Sequence, residues 1–421
     1  MKRFAALPFA PLLLLAACGD DAGTGGGGAG DSTSTTGSGT TTSSSVMSTT
    51  STSGGTGGGG GGCDRDPGAA DKERFVVVGH PYDDAMDPDG TYEVLRLSAA
   101  GELTSTGTRF SMGRPADRAI RFTPDGEIGF AVQDDGTVGV FRLDAAGNVT
   151  VLDEALAGDF YAENLRWDDD LGGVYVIDTN FPENGGGIYT IGLGCDETLT
   201  AGPRLFESKS ARDILFHAGT KDALLAARGA LGSTAVAHVH RLDLGPPPSV
   251  ITSVDAFGDD EAITSWVALT RNGKHLVLGD NSAFSAVPNR VAAVEITATG
   301  LGSVQTIEGF EDPYSIAVSP FDDAVVVTSG FGDGIFVFDY DPAAAQPLML
   351  RGELPYEGSP PQLPGALATV DRGSLDGLVL IADVRGVYQV RFGAGATVED
   401  LGVVDLGGGT EDIVVGIGVQ P

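Results

Sequence analysis

The sequence predicts an all-β protein: a seven-bladed β-propeller closed by the C-terminal strand pairing into the first blade, and preceded by a disordered linker. Three observations support this prediction. A strand-and-turn unit recurs seven times in the 421 residues. The units follow one another about every 50 residues, as four-stranded propeller blades do. The first and last units are each incomplete, as expected of a ring that closes between the two ends of the chain.

The N-terminus has the features of an export signal. Lys2 and Arg3 supply positive charge, and a short apolar stretch centred on residues 12–15 follows. This stretch is too short for a permanent membrane span, which takes roughly 20 residues. It ends in the tetrapeptide Leu-Ala-Ala-Cys at Cys18, which resembles the bacterial lipobox. The resemblance implies a lipoprotein signal peptide over residues 1–17 and a lipidated Cys18; the alternative is an ordinary signal peptide with a chance cysteine.

Lipidation of Cys18 would hold the protein on a membrane, because acyl chains contribute roughly 0.8 kcal/mol per buried CH₂. Gly19 follows the cysteine, and by resemblance to well-studied lipoproteins it permits sorting to the outer membrane. We therefore expect an outer-membrane lipoprotein of the cell envelope that faces the periplasm or the exterior. The expected membrane contact is through the lipid anchor only, and the choice between inner and outer membrane stays open.

Residues 18–62 consist almost entirely of Gly, Ser and Thr. The segment has no apolar periodicity, so it is predicted to be a flexible, disordered tether. Its glycine runs lack the Gly-Lys-Ser/Thr ending and the preceding strand of a phosphate-binding loop. The propeller is therefore predicted over residues 63–421.

Each repeat contains a short apolar first strand, often followed by a turn of Pro, Asp, Asn or Gly. First strands start at Ile120, Leu165, Ile214, Val267, Ile316, Leu367 and Ile417. A second strand is almost continuously apolar, as expected where both sheet faces are buried between blades. Second strands are predicted at Phe75–Gly79, Ile128–Val132, Val174–Ile177, Ala223–Ala227, Leu276–Leu278, Ala324–Val327 and Leu378–Ala382.

A third strand also recurs, and weaker fourth strands follow because the outer edge of a blade faces solvent. Third strands are predicted at Tyr92–Leu97, Val138–Leu143, Ile188–Leu193, Ala237–Leu242, Val291–Ile296, Ile335–Tyr340 and Val387–Phe392. The strand at Phe75–Gly79 has no first strand before it, and the strand at Ile417–Val419 has no second strand after it. We therefore predict that these two strands pair and close the ring.

The repeats resemble those of YVTN/lactonase-like seven-bladed propellers over roughly residues 73–421. The best matches are Ile-Ala-Val-Ser-Pro from Ile316 and Ile-Arg-Phe-Thr-Pro-Asp-Gly from Ile120, while Tyr-Val-Ile-Asp from Tyr175 only approximates the namesake tetrapeptide. The resemblance implies the fold, and propellers host many functions. Lactonase- and gluconolactonase-type propellers place catalytic or metal-binding residues on the face where first strands begin, but no motif here identifies the corresponding residues.

We call the face at which first strands begin the top face. Loops that enter first strands and loops that join second to third strands both lie there, so their polar residues are predicted to ring the tunnel mouth. The candidate residues are Asp117, Arg118, Glu163, Asn164, Asp178, Asn180, Arg212, Asp213, Arg228, Asp280, Asn281, Asp312, Asp383, Arg385, Glu411 and Asp412. Such a ring suits a small polar ligand, a protein partner or a divalent cation such as Ca²⁺. The alternative is that these side chains satisfy turns and pair with one another; no cofactor or metal ligand is assigned.

Cys63 and Cys195 are the two cysteines that follow Cys18. Cys195 comes after the third strand of its blade and Cys63 before the second strand of the first blade, so both are predicted at the bottom face. In an oxidising compartment we expect a disulfide between them, with two free thiols as the alternative. The disulfide would direct the tether from the bottom face and point the polar ring away from the membrane.

Composition and motifs reduce the number of function classes that the sequence supports. The net charge of −33 disfavours nucleic acid as a partner, and we expect a monomer. Gly-x-Ser-x-Gly, His-Glu-x-x-His and paired Cys-x-x-Cys motifs are absent, and Trp266 and Tyr314 are interpreted as blade packing. We therefore expect a membrane-anchored, extracytoplasmic scaffold that binds a ligand or protein through its top-face loops and is not an enzyme. The alternatives are a lactonase- or gluconolactonase-like hydrolase with a metal or polar site at the tunnel mouth, and a structural envelope component.

Overall fold

The computed structural model describes residues 63, 65–82, 90–169, 171–179, 186–208, 211–217, 222–227, 237–258, 262–282, 288–330, 332, 334–407 and 413–421. These residues contain 28 β-strands in seven four-stranded antiparallel sheets, together with one 3₁₀ helix at Gly373–Leu375. The predicted seven-bladed propeller is confirmed. The predicted signal peptide and tether lie outside the described residues.

Innermost strands line the central tunnel, and second strands lie immediately outside them. The innermost strands are β4 (Arg121–Phe122), β8 (Asn164–Asp168), β12 (Ala211–Phe216), β16 (Thr264–Leu269), β20 (Pro313–Val318), β24 (Leu367–Thr369) and β28 (Gly416–Val419). The second strands are β1 (Arg74–His80), β5 (Ile128–Val132), β9 (Gly173–Asp178), β13 (Asp222–Ala227), β17 (His275–Asp280), β21 (Ala324–Ser329) and β25 (Leu378–Asp383). The predicted first and second strands are thus all present.

The outer half of each blade consists of a third and a fourth strand. The third strands are β2 (Thr91–Leu97), β6 (Val138–Leu143), β10 (Gly187–Leu193), β14 (Val239–Asp243), β18 (Asn289–Ile296), β22 (Gly334–Tyr340) and β26 (Gly386–Gly393). The outermost strands are β3 (Leu103–Phe110), β7 (Val149–Leu156), β11 (Leu199–Ala201), β15 (Ser249–Val254), β19 (Leu301–Phe310), β23 (Leu348–Glu353) and β27 (Thr397–Asp405). Blades 2 to 7 each take four consecutive strands from β4 onward, and blade 1 has the order β28-β1-β2-β3.

The apolar core lies between blades. Strands β1, β5 and β17 are buried along their whole length, whereas outermost strands such as β3 and β15 are largely exposed. Seven clusters of buried apolar side chains occupy the seven contacts between adjacent blades. The continuous apolar second strands follow from this arrangement, because each contributes side chains to the cores on both of its sides.

The ring closes as predicted. Strand β28 pairs antiparallel with β1, with Val419 opposite Val76 and Gly416 opposite Gly79. The Gln420 side chain accepts a hydrogen bond from the backbone N–H of Phe75 at 2.9 Å and donates one to the backbone oxygen of a residue in blade 2 at 2.6 Å. The C-terminus therefore joins blades 1 and 2 and leaves no blade edge open at the junction.

The predicted disulfide is confirmed. Cys63 and Cys195 are bonded, with their Cα atoms 5.5 Å apart, and Cys195 lies in the bottom-face turn between β10 and β11. Nearby, Arg65 forms an ion pair of 2.9 Å with Asp125 in another bottom-face turn. The segment before β1 is therefore fixed at the bottom face. No helix within the described ranges is long and apolar enough to cross a membrane.

The closure predicts that Gly418 tolerates no side chain. A β-carbon at Gly418 would lie 2.4 Å from the backbone oxygen of Ile120 in the next blade. Gly418→Ala should therefore lower the free energy of unfolding in urea by about 1–3 kcal/mol. In the matched control Gly358→Ala the new β-carbon meets no heavy atom within 4 Å, and stability should stay within about 0.5 kcal/mol. Equal unfolding free energies for the two variants would contradict the close packing of β28.

Candidate functional site

The structure divides the predicted ring into two described sets. The residues brought together at the tunnel mouth are Asp117, Arg118, Glu163, Asn164, Arg212 and Asp213. The residues that form contacts within their own blades or loops are Asp178, Asp280, Asn281, Asp312, Asp383 and Arg385. The remaining four, Asn180, Arg228, Glu411 and Asp412, lie outside the described residues.

Three carboxylates of the second set occupy the same position, at the end of a second strand. Asp178, Asp280 and Asp383 each accept a hydrogen bond from a backbone N–H of the loop that enters their own blade, at 3.0, 3.1 and 2.7 Å. Asp280 and Asp383 also form ion pairs with Arg290 and Arg385 at 2.6 and 2.9 Å. These carboxylates fix the loops that carry the mouth residues.

Asn281 and Asp312 also contribute through their backbones. The N–H of Asn281 donates to the backbone oxygen of Ile263 at 2.8 Å. The N–H of Asp312 donates to the side-chain oxygen of Asn289 at 3.0 Å. Both residues therefore shape top-face loops beside the tunnel.

Arg118 spans the tunnel. It precedes blade 2, yet one of its terminal N–H groups donates to the hydroxyl of Tyr314 in blade 6 at 3.2 Å. Its Nε–H donates to the backbone oxygen of Glu163 at 2.8 Å, and a terminal N–H donates to the backbone oxygen of Asp117 at 2.6 Å. The guanidinium thus connects opposite sides of the ring at the top of the tunnel.

Glu163 holds two arginines together. Its carboxylate forms an ion pair with Arg118 and another, of 2.7 Å, with Arg212. The two guanidinium carbons lie 4.5 and 5.0 Å from the ring centroid of Trp266, within cation–π range. Trp266 in turn meets Tyr314 edge-on, with centroids 6.1 Å apart. We call Asp117, Arg118, Glu163, Arg212, Trp266 and Tyr314 the mouth cluster.

Asp117 is the acid–base candidate of the mouth cluster. Its half-buried carboxylate accepts a hydrogen bond from the backbone N–H of Ala366 at 2.9 Å. Burial raises the pKa of this carboxyl above its usual range, and this effect outweighs the opposing charge of Arg118. Burial also raises the pKa of the Tyr314 hydroxyl, with a further contribution from the Asp117 charge. A carboxyl with a raised pKa beside a fixed positive charge is typical of sites of proton transfer.

Arg118 remains charged in this environment. Burial acts to lower the pKa of its guanidinium, but the charges of Glu163, Tyr314 and Asp117 together with the Glu163 hydrogen bond outweigh burial, and the net pKa is raised. Its four hydrogen bonds use four of the five N–H groups of a guanidinium. One N–H therefore has no partner within the described chain and is available to a ligand.

A second layer lies below the mouth cluster. The Asn164 amide and the Arg166 Nε–H each donate to the buried Asp213 carboxylate at 2.8 Å, and the Val267 backbone N–H donates to it at 3.2 Å. Blades 3, 4 and 5 are thereby joined around one carboxylate. Beneath this layer a cavity of about 390 Å³ follows the innermost strands towards the bottom face, where Arg271 lines it.

Sequence reasoning missed two groups of residues. Trp266 and Tyr314 were interpreted as blade packing, but the structure places both in the mouth cluster. Arg121 and Arg166 were not singled out, and both line the tunnel cavity. The position of a residue within its repeat could have identified them. Two residues before a predicted first-strand start stand Arg118, Glu163, Arg212 and Tyr314. One residue after such a start stand Arg121 and Arg166.

A cation site is not evident in the described part of the chain. Among those residues no three His, Cys, Asp or Glu side chains are grouped so that they could hold a metal ion. Asp213, which is fully buried, is already bound to Arg166. The calcium site remains a prediction, because several ring residues lie outside the described ranges.

Comparison with known proteins identifies the fold. No family model and no curated protein matches the chain. The periplasmic gluconolactonase PpgL of Pseudomonas aeruginosa has a similar structure, with a TM-score of 0.61, 14% identity and coverage of 83% of this chain and 99% of that chain. A candidate 6-phosphogluconolactonase of Bacteroides fragilis has a TM-score of 0.59 and 14% identity, with coverage of 85% of this chain and 100% of that chain. A candidate 6-phosphogluconolactonase of Bacteroides uniformis has a TM-score of 0.61 and 16% identity, with coverage of 83% of this chain and 99% of that chain. At these identities the likeness shows the propeller fold.

These comparisons correct one prediction. The sequence favoured a scaffold that is not an enzyme, whereas these three solved structures, each matched over nearly its whole length, are described as one gluconolactonase and two candidate 6-phosphogluconolactonases. The reason for the error is that the residues of the mouth cluster come from separate blades, so they form no short linear motif in this sequence. The correction agrees with an acid–base candidate at the mouth.

The mouth cluster predicts that the charge of Glu163 is needed for stability. Glu163→Gln leaves the guanidinium groups of Arg118 and Arg212 without their shared counter-charge, and the free energy of unfolding should fall by about 1.5–3 kcal/mol, the range for hydrogen bonds to charged groups. Glu399→Gln, on an exposed position of β27, is the matched control and should change stability by less than about 0.5 kcal/mol. Urea unfolding that shows no difference between the two variants would argue against a stabilising role for the two ion pairs of Glu163.

Proposed function

We propose that the protein hydrolyses lactones at the tunnel mouth, with a sugar-derived lactone of the gluconolactone type as the substrate class. The observation that carries the proposal is the Asp117 carboxylate, with a raised pKa, beside the tunnel-spanning guanidinium of Arg118. The choice of substrate class is supported by the similar structure of PpgL, a propeller that is described as a gluconolactonase.

Asp117 is proposed as the general base. Its carboxylate takes a proton from a water molecule as the water oxygen attacks the lactone carbonyl carbon. The same proton then passes to the ring oxygen as the carbon–oxygen bond of the ring breaks, and the product is a hydroxy acid. Such proton transfer contributes typically 10²–10⁴-fold to the rate.

Arg118 is proposed as the oxyanion stabiliser. Negative charge develops on the carbonyl oxygen in the transition state, and a fixed positive group placed there lowers the barrier. Glu163 and Tyr314 hold the guanidinium across the tunnel, so it need not reorganise during the reaction. Glu163 and Trp266 are therefore positioning residues in this proposal, acting through Arg118 and Arg212.

We also propose that the protein works in the cell envelope, anchored by a lipid on Cys18. The proposal is supported by the tetrapeptide at Cys18 and by the disulfide between Cys63 and Cys195, since disulfides persist in oxidising compartments outside the cytoplasm.

The catalytic proposal predicts a large loss of activity in Asp117→Asn. With glucono-δ-lactone as substrate and the uncatalysed rate subtracted, kcat should fall by about 10²–10⁴-fold, while Glu399→Gln should retain wild-type activity. Because the base must be ionised and its pKa is raised, wild-type activity should fall on acidification at a pH above the ordinary Asp pKa of about 3.9. A wild-type chain without activity, or an Asp117→Asn variant as active as wild type, would refute the proposed role.

The location proposal predicts lipid incorporation at Cys18. Bacteria that express the full chain and are fed an alkyne-labelled fatty acid should yield labelled protein, and Cys18→Ala should yield none. Cys63→Ala is the matched control and should keep the label, since Cys63 is in the disulfide. Label that persists in Cys18→Ala, or is absent from wild type, contradicts the anchor.

A further inference from the structure

The tunnel cavity beneath the mouth cluster has an excess of positive charge. Its lining includes three arginines, Arg121, Arg166 and Arg271, and one acidic residue, Asp371. The positive charge of the lining is opposite in sign to the net charge of the chain, which has 58 acidic and 25 basic residues. Cations placed together in a protein interior need compensation by an opposite charge.

Two of the three arginines are compensated. The Arg166 guanidinium donates to both oxygens of the buried Asp213 carboxylate, at 2.8 and 2.5 Å. Arg271, at the bottom end, forms an ion pair of 2.8 Å with Asp376 and donates to the backbone oxygen of Asp371 at 3.1 Å. Neither guanidinium requires a further anion.

Arg121 is not compensated. Its Nε–H donates to the backbone oxygen of Leu165 at 2.9 Å, and within the described ranges its two terminal nitrogens have no hydrogen-bond or ion-pair partner. Burial, and then the charge of Arg166, lower the pKa of Arg121 to about 9, with only partial relief from Asp213. Two adjacent N–H groups of a guanidinium are thus presented to a cavity of about 390 Å³ without a counter-charge.

We propose that this cavity binds a carboxylate anion on Arg121. A carboxylate is planar and carries one charge, so it matches the fork of one uncompensated guanidinium. A dianion such as phosphate suits the cavity less well, because the Asp371 carboxylate in the lining would repel its second charge.

The position of the cavity indicates which carboxylate it takes. Asn164 and Trp266 line the cavity, and Trp266 also belongs to the mouth cluster. Trp266 thus marks the boundary between the mouth cluster and the cavity. The hydroxy acid released when a lactone ring opens at the mouth carries a new carboxylate next to this boundary. The proposal therefore rests on the proposed function: the cavity is the binding site for the acid product.

Calorimetric titration of gluconate into the full chain tests the proposal. Wild type should bind one gluconate, and Arg121→Gln should weaken binding by at least about tenfold, as expected from the loss of a bidentate charge-assisted pair. Arg271→Gln is the matched control and should stay within about twofold, because Arg271 is already paired. If Arg121→Gln does not fold, Arg121→Lys keeps the charge without the fork and should still weaken binding.

The outcomes separate this site from the catalytic proposal. Asp117→Asn should bind gluconate as wild type does while losing hydrolysis. If wild type hydrolyses the lactone but binds no gluconate, or if Arg121→Gln or Arg121→Lys binds it equally well, the cavity proposal is wrong and the catalytic one stands. If no variant hydrolyses lactone but gluconate binding depends on Arg121, the catalytic proposal is wrong and the anion site stands. Inorganic phosphate that binds more tightly than gluconate, with the same dependence on Arg121, would overturn the assignment to carboxylates.

Discussion

The antiparallel pairing of β28 with β1 is the interaction on which the rest of the structure depends. A ring of seven blades leaves no exposed strand edge between its first and last blades only if the two ends of the chain pair with each other. Here four residue pairs, from Val76–Val419 to Gly79–Gly416, make this connection. The junction also fixes blade 2, because Ile120 donates its N–H to the backbone oxygen of Ile417 at 2.8 Å. Arg118 stands two residues before Ile120, so the closure positions the tunnel-spanning guanidinium.

The mouth cluster shows why a propeller suits a site built from single residues. Blades 2 to 6 each supply one or two side chains from the three residues before the predicted start of the first strand, and the ring brings them to a common axis. Arg118 and Tyr314 are 196 residues apart and in hydrogen-bond contact. The carboxylates at the ends of second strands, such as Asp178 and Asp280, hold the loops that deliver these side chains. Binding chemistry and loop support are thereby assigned to different residues of one repeated unit.

The strands could be predicted from sequence because their signals are local. Runs such as Ile128–Val132 are apolar throughout, and the structure gives that strand the same bounds. The cysteine pair could be predicted because repeat phase placed both thiols at one face. The mouth cluster could be predicted only in part. Asp117, Arg118, Glu163 and Arg212 were found as loop polars, but Trp266 and Tyr314 lie on the innermost strands β16 and β20 and were interpreted as blade packing. Only the ring geometry shows that these positions face the tunnel.

The central claim is that a lactone binds at the tunnel mouth with its carbonyl on Arg118 and its reacting carbon beside Asp117. The most direct test is a crystal structure of the full chain soaked with gluconolactam, in which an amide replaces the hydrolysable ester. The account predicts electron density for the lactam at the mouth cluster, with its carbonyl oxygen within hydrogen-bond distance of the Arg118 guanidinium and its carbonyl carbon open to a water on Asp117. Density on an outer blade surface, or a lactam whose carbonyl points away from Arg118, would contradict it.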